Sequence, residues 1–297
     1  MKIFIIGAGA WGTALAIVAA KGGNRAALLC HDANVAENIK RDRKNPLLPG
    51  IKLPGRIKIT ANIRDGTDSD VWLVAVPAEF FRQNMRDFRQ TWNGQTIIIC
   101  TKGIEQGTNY LMSEILKELR YPVKKCGVLS GPQFANDVAQ NIPTGATIGG
   151  PPDVFKTAQS VFPDMYLENT NDTTGVQLCG AGKNAVALIA GFLSGQGASE
   201  SEKAMTISHA WGEIVELGRK MGAKPETFLM LCGSGDLLLT ATSTTSRNFS
   251  AGTAMARGNG IGGATLEGIA AIHGLAARAK ALGLRTPILE RWTAVYT

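Results

Sequence analysis

The sequence begins with the stretch Lys2-Ile3-Phe4-Ile5-Ile6-Gly7-Ala8-Gly9-Ala10-Trp11-Gly12, which decides the fold. Its mostly apolar start predicts a buried strand, and the helix-forming residues 13–20 predict a helix directly after the glycines. In such a strand-turn-helix, the first glycine permits the tight turn, the second lets the backbone approach a pyrophosphate, and the third lets the helix pack on the strand. The stretch therefore predicts a dinucleotide site at the helix N-terminus, where free N–H groups favour phosphate. The alternative is a plain turn in a chain that contains 35 glycines.

Alternating strands and helices continue through the first half of the chain and then stop. Further strands are predicted at 25–30, 70–76, 95–100 and 125–129, with 144–149 as an added edge strand, and helices at 32–43, 79–92 and 109–119. From residue 175 onward, helices are predicted at 175–195, 201–222, 248–257, 265–282 and 287–295, while 237–240 is ambiguous.

We therefore predict an α/β fold class. An N-terminal Rossmann-type, doubly wound sheet in residues 1–174 is followed by a C-terminal all-helical domain in residues 175–297. The active site is expected in the cleft between the two domains.

The composition favours small anionic partners. The net charge is +7, and the basic residues are spread along the chain rather than gathered in an arm that would bind nucleic acid. The five cysteines lack C-x-x-C spacing and the three histidines are too few for a histidine-rich centre, so no metal site and a reducing compartment are expected. The glycines argue against a signal peptide, and no later apolar run approaches the length of a membrane span. A cytoplasmic protein without stable membrane insertion is therefore expected.

The end of the second predicted strand, Cys30-His31-Asp32, is where a dinucleotide-binding protein contacts the adenosine ribose. If Asp32 faces the ribose, its carboxylate favours the 2′-hydroxyl of NAD and repels the 2′-phosphate of NADP. If His31 faces it, aided by Arg41 or Arg43, NADP is tolerated. A third interpretation is that Asp32 only caps the following helix. The predicted cofactor is therefore NAD or NADP.

Three charged residues are candidates for the chemistry. Lys183 lies in a predicted helix that is apolar nearly all round, where a lysine needs a partner, and Asp236 is the candidate partner. Burial and a neighbouring cation lower a lysine pKa toward the working range of a general acid or base, while a carboxylate raises it. Lys102 follows the end of a predicted strand, at the edge where ligands of such sheets gather. The alternative for both lysines is a solvated surface position.

Two polar turns and one acid complete the candidates. The turn Ser130-Gly131-Pro132-Gln133-Phe134-Ala135 can offer backbone N–H groups and an amide to a ligand, or be only a turn. Ser246-Arg247-Asn248 precedes a helix, and a guanidinium at a helix N-terminus suits a phosphate ester. The alternative there is capping by Ser246 beside a surface arginine. Glu267 is also explained as a first-turn acid that interacts favourably with the helix dipole.

Taken in order, these segments resemble bacterial NAD(P)-dependent glycerol-3-phosphate dehydrogenase over essentially the whole chain. The matching segments are Gly7–Leu15, Val76-Pro77, Thr101–Gly103, Ser130–Ala135, Gly175–Asn184, Gly233–Leu237, Ser246–Asn248 and Leu266–Gly268. The resemblance implies an enzyme that interconverts dihydroxyacetone phosphate and sn-glycerol 3-phosphate by hydride transfer with NAD(P)H. It also implies that the product supplies phospholipid synthesis.

The resemblance further implies roles for individual residues. The catalytic residues are Lys183, as proton donor and acceptor at the C2 oxygen of the substrate, with Lys102 and Asp236. The substrate contacts are Lys102, Gly131, Gln133, Lys183, Asp236, Ser246, Arg247 and Asn248. The cofactor contacts are Gly7, Gly9, Ala10, Trp11, Gly12, His31, Lys102, Ala135, Arg247, Thr265 and Glu267. The expected partners are a small phosphorylated substrate and a second copy of the chain in a homodimer.

The sequence departs from the family pattern at several places. Where the family usually has a Gly-x-Asn turn and a Thr-Arg-Gly segment, this chain has Gly197-Ala198-Ser199 and Ile207-Ser208-His209, so His209 is the candidate replacement for the arginine. Thr265 stands where the family usually has a hydrophobic residue. Family members usually continue for another helix beyond the position of Thr297, so packing of the helical domain or a dimer contact is expected to differ.

Two other functions fit part of the sequence. A dehydrogenase of the same two-domain plan that acts on a 3-hydroxy acid or a sugar acid would bind a carboxylate at Ser246-Arg247-Asn248. A cofactor-binding sensor without turnover would need only the first domain. The presence of Lys183, Asp236 and Arg247 together argues against the sensor.

Overall fold

The strand that opens the chain, β1 (Lys2–Ile6), lies inside a largely parallel sheet. The computed structural model describes residues 1–259 and 267–296, and within them eight strands form one sheet in the order β3-β2-β1-β4-β5-β6-β7-β8. The other strands are β2 (Arg25–Leu29), β3 (Lys58–Thr60), β4 (Val71–Val74), β5 (Thr96–Ile99), β6 (Cys126–Ser130), β7 (Gly145–Gly149) and β8 (Tyr166–Thr170). Neighbouring strands are parallel from β3 through to β6, and β7 is parallel to β8. The predicted Rossmann-type sheet is therefore confirmed.

One prediction about this region needs correction, and two strands were not predicted. The segment 144–149 forms β7, but β7 is an inner strand because β8 pairs along its other side. No apolar run predicts β8, because its residues Tyr-Leu-Glu-Asn-Thr are exposed or half-buried. The edge strand β3 escapes prediction because it is only three residues long.

The helices between the strands are α1 (Ala10–Lys21), α2 (Ala33–Asp42), α3 (Ala78–Phe88), α4 (Met112–Glu118), α5 (Ala135–Gln140) and α6 (Pro152–Val161). The helix α1 is buried from Gly12 to Ala20, in agreement with its uniformly apolar composition. The helix predicted at 109–119 begins only at Met112, since Asn109 has a left-handed backbone with φ of 57°.

The chain folds as two compact units. The first unit contains residues 1–101, 113–129 and 133–171, and the second contains residues 102–112, 130–132 and the chain from 172 onward. The helices of the second unit are α7 (Thr173–Gly195), α8 (Glu200–Lys220), α9 (Asp236–Thr242), α10 (Arg247–Ala256), α11 (Glu267–Ala281) and α12 (Pro287–Val295). The ambiguous run 237–240 therefore belongs to a helix, α9. The predicted domain boundary between residues 174 and 175 stays a prediction.

The helix α7 is the core of the second unit. Every residue from Gly175 to Gly191 is buried, and α8, α9, α10 and α11 pack against it. Contrary to the expectation from the sequence, α7 is long and apolar enough to cross a membrane. However, 94% of its apolar window is buried inside the protein, which is the environment of a core helix.

The helices α7 and α10 approach each other backbone to backbone. A side-chain carbon at Gly191 would lie 1.9 Å from the carbonyl oxygen of Phe249, and one at Gly252 would lie 2.1 Å from the carbonyl oxygen of Leu188. Only glycine at these two positions permits such close packing. The N-terminus of α10 is thereby fixed against α7.

Candidate active site

The glycine turn that was predicted to hold a pyrophosphate has the geometry of a phosphate site. Gly7 has φ of 110°, a conformation that favours glycine, and a side-chain carbon at Gly12 would lie 1.9 Å from the Gly7 carbonyl oxygen. A side-chain carbon at Gly9 would meet nothing within 4 Å, so the space beside its backbone is open. No described side chain caps the start of α1, which leaves its first N–H groups available to phosphate oxygens. These residues therefore fit the pyrophosphate of a dinucleotide.

The residues that follow β2 show which of the ribose interpretations have structural support. Asp32 caps α2, because its Oδ1 accepts hydrogen bonds from the N–H groups of Asn34 (2.7 Å) and Val35 (3.1 Å). The hydrogen bonds of a helix cap are therefore present, and they occupy one oxygen of the Asp32 carboxylate. His31 is exposed.

The two arginines proposed to aid His31 have partners of their own. The guanidinium of Arg43 donates hydrogen bonds to the carbonyl oxygens of Pro54 and Ile57. Arg41 forms an exposed ion pair with Asp42, with 2.7 Å between Nε and Oδ1. The guanidinium of Arg43 therefore ties the end of α2 to the segment around Pro54 and Ile57, whereas that of Arg41 pairs only with its neighbour in sequence.

The first unit also contains three further cofactor candidates and the amide candidate Gln133. Ala10, Trp11 and Ala135 pack against its apolar core. The indole Nε1 of Trp11 is buried without a hydrogen-bond partner among the described residues. The Nε2 of Gln133 donates to Oγ1 of Thr144 at 3.3 Å, while its buried Oε1 has no described partner. Buried polar atoms without partners are unusual and are consistent with contact to a ligand.

The second unit brings the three predicted catalytic residues together. The Nζ of Lys183 lies 3.0 Å from Oδ1 of Asp236, and the Nζ of Lys102 lies 2.7 Å from Oδ2 of the same carboxylate. Lys102 also donates a hydrogen bond to the carbonyl oxygen of Gly131 at 3.0 Å. The side chains of Lys183 and Lys102 are only 10% and 14% exposed, and that of Asp236 is fully buried. The surface interpretation is therefore wrong for both lysines, and the expected pairing of Lys183 with Asp236 is present.

The electrostatics of this cluster separate the roles of its members. Burial lowers the pKa of Lys183 to about 8; the charge of Asp236 opposes this shift and the charge of Lys102 reinforces it. Burial works against ionisation of Asp236, but the two lysines hold the pKa of its carboxyl below the ordinary value. Near neutral pH the carboxylate therefore stays ionised, whereas Lys183 can exchange a proton.

Sequence reasoning missed Thr240, which completes the cluster. The Nζ of Lys183 donates to Oγ1 of Thr240 at 3.0 Å, and this hydroxyl donates to Oδ1 of Asp236 at 3.2 Å. Thr240 follows Asp236 by four residues on α9, which places both on one face of the helix. A helical assignment of the ambiguous run 237–240 would have placed Thr240 on the same helix face as Asp236.

The segment that leads to Asp236 is tied to the start of α7. Asp172 caps α7 by accepting a hydrogen bond from the N–H of Gly175 at 2.8 Å. Its Oδ2 also accepts from the N–H of Lys224 at 2.7 Å and from Oγ1 of Thr227 at 2.8 Å. A π-helical turn, Leu231–Gly235, then delivers the chain to α9. These contacts position Asp236 relative to Lys183.

The predicted phosphate residues lie at the N-terminus of α10. The Oγ of Ser246 accepts a hydrogen bond from the N–H of Phe249 at 3.3 Å, so Ser246 caps α10 as its alternative interpretation expects. The Oδ1 of Asn248 accepts from the N–H of Gly268 at 3.1 Å, which orients its amide. Arg247 is exposed and has no hydrogen-bond or ion-pair partner in the described part of the chain.

The remaining candidates are Glu267, Thr265 and His209. The Oε2 of Glu267 accepts a hydrogen bond from Nδ2 of Asn184 at 3.3 Å. Asn184 directly follows Lys183 in the sequence. Thr265 lies outside the described residues. His209 is exposed on α8.

A parallel nucleotide-binding sheet with a glycine turn, together with a helical unit that buries a lysine–aspartate cluster, defines an NAD(P)-dependent dehydrogenase. The family model described as the NAD-dependent glycerol-3-phosphate dehydrogenase N-terminus matches residues 2–154, and that of the C-terminus matches residues 172–297. The chain therefore belongs to the NAD-dependent glycerol-3-phosphate dehydrogenase family.

Individual relatives agree with this assignment. The chain is 38% identical over 298 residues to the glycerol-3-phosphate dehydrogenase (NAD(P)+) of Bradyrhizobium sp. strain BTAi1, covering 99% of this chain and 91% of that protein. It is 35% identical over 305 residues to the protein of the same name from Caulobacter vibrioides, covering 99% and 92%. The crystal structure of glycerol-3-phosphate dehydrogenase from Coxiella burnetii is similar with a TM-score of 0.92 at 28% identity, covering 99% of this chain and 94% of that one.

These findings confirm the predicted family, fold class and enzyme class. The chain is an oxidoreductase that depends on NAD(P) and acts as a glycerol-3-phosphate dehydrogenase. The roles of the individual site residues are inferred from the distances, hydrogen bonds and burial of their side chains.

Proposed function

We propose that this chain interconverts dihydroxyacetone phosphate and sn-glycerol 3-phosphate with Lys183 as the group that moves the proton at the C2 oxygen. The observation that carries the proposal is the buried cluster in which Lys102 and Lys183 share the carboxylate of Asp236. A nicotinamide dinucleotide held at the Gly7–Gly12 turn would supply or take up the hydride at C2. The protein has to supply a proton, positive charge for a developing alkoxide, and a hold on the substrate phosphate.

Lys183 performs the proton transfer in both directions. During reduction its ammonium gives a proton to the C2 oxygen and becomes a neutral amine, and during oxidation the amine takes the proton from the C2 hydroxyl. A pKa of about 8 makes both forms accessible near neutral pH. Asp236 and Thr240 hold Nζ in place through bonds of 3.0 Å each. Lys102 keeps positive charge beside the oxygen that becomes negative.

The substrate phosphate binds at the N-terminus of α10. Arg247 offers a guanidinium that no described residue engages, and a helix N-terminus favours an anion. Ser246, Asn248, Gly131 and Gln133 are the further proposed substrate contacts. Holding the phosphate away from the reacting carbon uses remote binding energy to align C2.

The cofactor binds at the turn formed by Gly7, Gly9, Ala10, Trp11 and Gly12. The proposed contacts outside the turn are His31, Lys102, Ala135, Arg247, Thr265 and Glu267. The turn itself supports this proposal, because the open space beside Gly9 fits a pyrophosphate.

In the cell, the chain is proposed to act as a cytoplasmic homodimer that makes glycerol 3-phosphate for phospholipid synthesis, without a nucleic-acid partner or stable membrane insertion. Light scattering of the purified protein tests the dimer. A mass of 31.4 kDa, that of one chain, would argue against it.

The proton-transfer role is tested with the variant Lys183→Met. Oxidation of NADH and of NADPH is measured side by side with dihydroxyacetone phosphate for the wild-type protein and the variant. The variant is expected to lose turnover by a factor of about 10³ or more, because a thioether can neither give nor take a proton. Its NADH affinity is expected to stay near that of the wild type, since Lys183 belongs to the substrate machinery.

Lys220→Met is the matched control, because Lys220 is an exposed lysine of α8 in the same unit. It should keep full turnover. Near-normal turnover of Lys183→Met would contradict the assignment. Higher turnover of the wild type with 3-oxo acids than with dihydroxyacetone phosphate, in the same oxidation of NADH and NADPH, would favour the carboxylate-substrate alternative.

A further inference from the structure

Asn45 is a buried polar residue that contacts the glycine turn and has no part in the chemistry above. It is only 2% exposed. Its Nδ2 donates hydrogen bonds to the carbonyl oxygen of Ala8 at 2.9 Å and to Oγ1 of Thr13 at 2.7 Å. Ala8 lies within the turn and Thr13 lies one turn into α1. One amide group therefore bridges the two parts of the phosphate site.

These bonds set the direction of a backbone N–H in the turn. A trans peptide group points its N–H and its carbonyl in opposite directions, so a fixed Ala8 carbonyl fixes the orientation of the Gly9 N–H. The N–H of Thr13 in turn donates to the carbonyl oxygen of Gly9 at 3.0 Å. Gly7 and Gly9 have the greatest backbone freedom of any residue type. A turn built from them needs such outside contacts to keep one conformation.

The segment that presents Asn45 is held by its own contacts. The Oδ1 of Asn45 accepts a hydrogen bond from the N–H of Leu47 at 3.0 Å. The N–H of Leu53 donates to the carbonyl oxygen of Arg43 at 2.8 Å. Leu48 and Leu53 are 3% and 2% exposed and belong to the core of the first unit. Asn45 is therefore a fixed donor to which the turn conforms.

We propose that Asn45 is a positioning residue for the cofactor, which holds the Gly7–Gly12 turn in the conformation that accepts a dinucleotide pyrophosphate. The inference rests on the proposed dinucleotide site and adds to it a residue outside the glycine motif. Its consequence is that loss of the Asn45 donors weakens dinucleotide binding, while the Lys183 cluster continues to function.

The test uses the full-length variants Asn45→Ala and Asn45→Asp. The Kd of NADH is measured by fluorescence titration without substrate, and KM for NADH and kcat are measured with dihydroxyacetone phosphate. Both variants are expected to raise the Kd and the KM for NADH about tenfold, because a positioning hydrogen bond is lost. The value of kcat is expected to stay within about twofold of the wild type. Asn45→Asp keeps the size of the side chain but replaces its donors with acceptors. It is therefore expected to bind NADH no better than Asn45→Ala.

Asn24→Ala is the matched control. Asn24 is 5% exposed, and its Nδ2 donates to the carbonyl oxygens of Ser160 and Val161 at 3.2 Å each, beyond the C-terminal end of α1. This variant is expected to lower the melting temperature without changing the Kd of NADH. Wild-type affinity in Asn45→Ala would overturn the inference. An equal loss of affinity in Asn24→Ala would also overturn it, because the effect would then be general destabilisation. Failure of the wild-type protein to bind NADH would instead contradict the proposed function.

Discussion

Lys183 is the site residue whose ionisation the surrounding protein brings close to neutral pH. Its pKa of about 8 results from burial, from the opposing charge of Asp236 and from the reinforcing charge of Lys102. Reduction needs the protonated lysine, so kcat/KM for dihydroxyacetone phosphate is expected to fall as the pH rises through about 8. Oxidation needs the neutral amine, so kcat/KM for glycerol 3-phosphate is expected to fall as the pH drops through the same value. Profiles of both reactions from pH 6 to 10, by roughly half units, check this sign.

The variant Lys102→Met separates the contribution of the neighbouring cation. Lys102 lowers the pKa of Lys183, so its removal is expected to move the alkaline limb of the reduction profile to higher pH, in addition to lowering the rate. Lys102→Arg keeps the positive charge and should leave the limb where it is in the wild type. An unchanged limb in Lys102→Met would show that the limb does not belong to Lys183.

Some functional residues can be recognised from the sequence alone and others cannot. Lys183 stands out because a lysine within an apolar run needs a special explanation. Asn45 does not, because it lies in a loop without periodicity and its partners Ala8 and Thr13 are 37 and 32 residues away. Hydrogen bonds between distant segments have no local sequence signature.

At the scale of elements, the contact between α7 and α10 determines where the proposed phosphate-binding residues lie. A side-chain carbon at Gly252 would lie 2.1 Å from the carbonyl oxygen of Leu188 and 2.7 Å from the backbone nitrogen of Phe192. Backbone atoms cannot move aside as a flexible side chain can. Gly252→Ala is therefore expected to lower the free energy of unfolding by roughly 2 kcal/mol or more, and to raise KM for dihydroxyacetone phosphate. Denaturant unfolding and steady-state kinetics measure the two effects.

Gly212→Ala is the matched control within α8. A side-chain carbon at Gly212 would meet nothing within 4 Å, so alanine there is expected to stabilise the helix by up to about 1 kcal/mol. Equal stability of Gly252→Ala and the wild type would contradict the close packing of α7 on α10.

Strands could be predicted from the sequence where burial in the core requires a run of apolar residues. After their first residues, Lys2 and Thr96, the strands β1 and β5 are continuous buried apolar runs, and β4 is one throughout. Residues on both faces of an inner strand are covered, which explains this composition. The edge strand β8 has polar, partly exposed residues and is held by pairing with β7. Its existence therefore depends on a neighbour that its own residues do not reveal.

At the scale of the whole molecule, the net charge of +7 favours the approach of an anionic substrate and cofactor. Raising the ionic strength from about 0.05 to 0.5 M is expected to raise KM for dihydroxyacetone phosphate and for NADH several-fold, since salt screens attraction between exposed charges. The value of kcat is expected to change little, because the Lys102–Asp236–Lys183 cluster is buried. A KM that is independent of salt would show that net charge has no part in binding.

The sequence by itself determined the class of cofactor and the order of a sheet-containing part and a helical part, and it singled out Lys183 as a candidate for the chemistry. Each of these has a local cause, such as the turn that needs Gly7 or the apolar surroundings of Lys183. Only the tertiary structure decided that Lys102 and Lys183 share one carboxylate, although Lys102 and Asp236 are 134 residues apart. It also decided that Thr240 joins them and that Asn45 holds the glycine turn. Such contacts follow from how distant segments pack, and packing depends on the whole chain rather than on any single stretch of it.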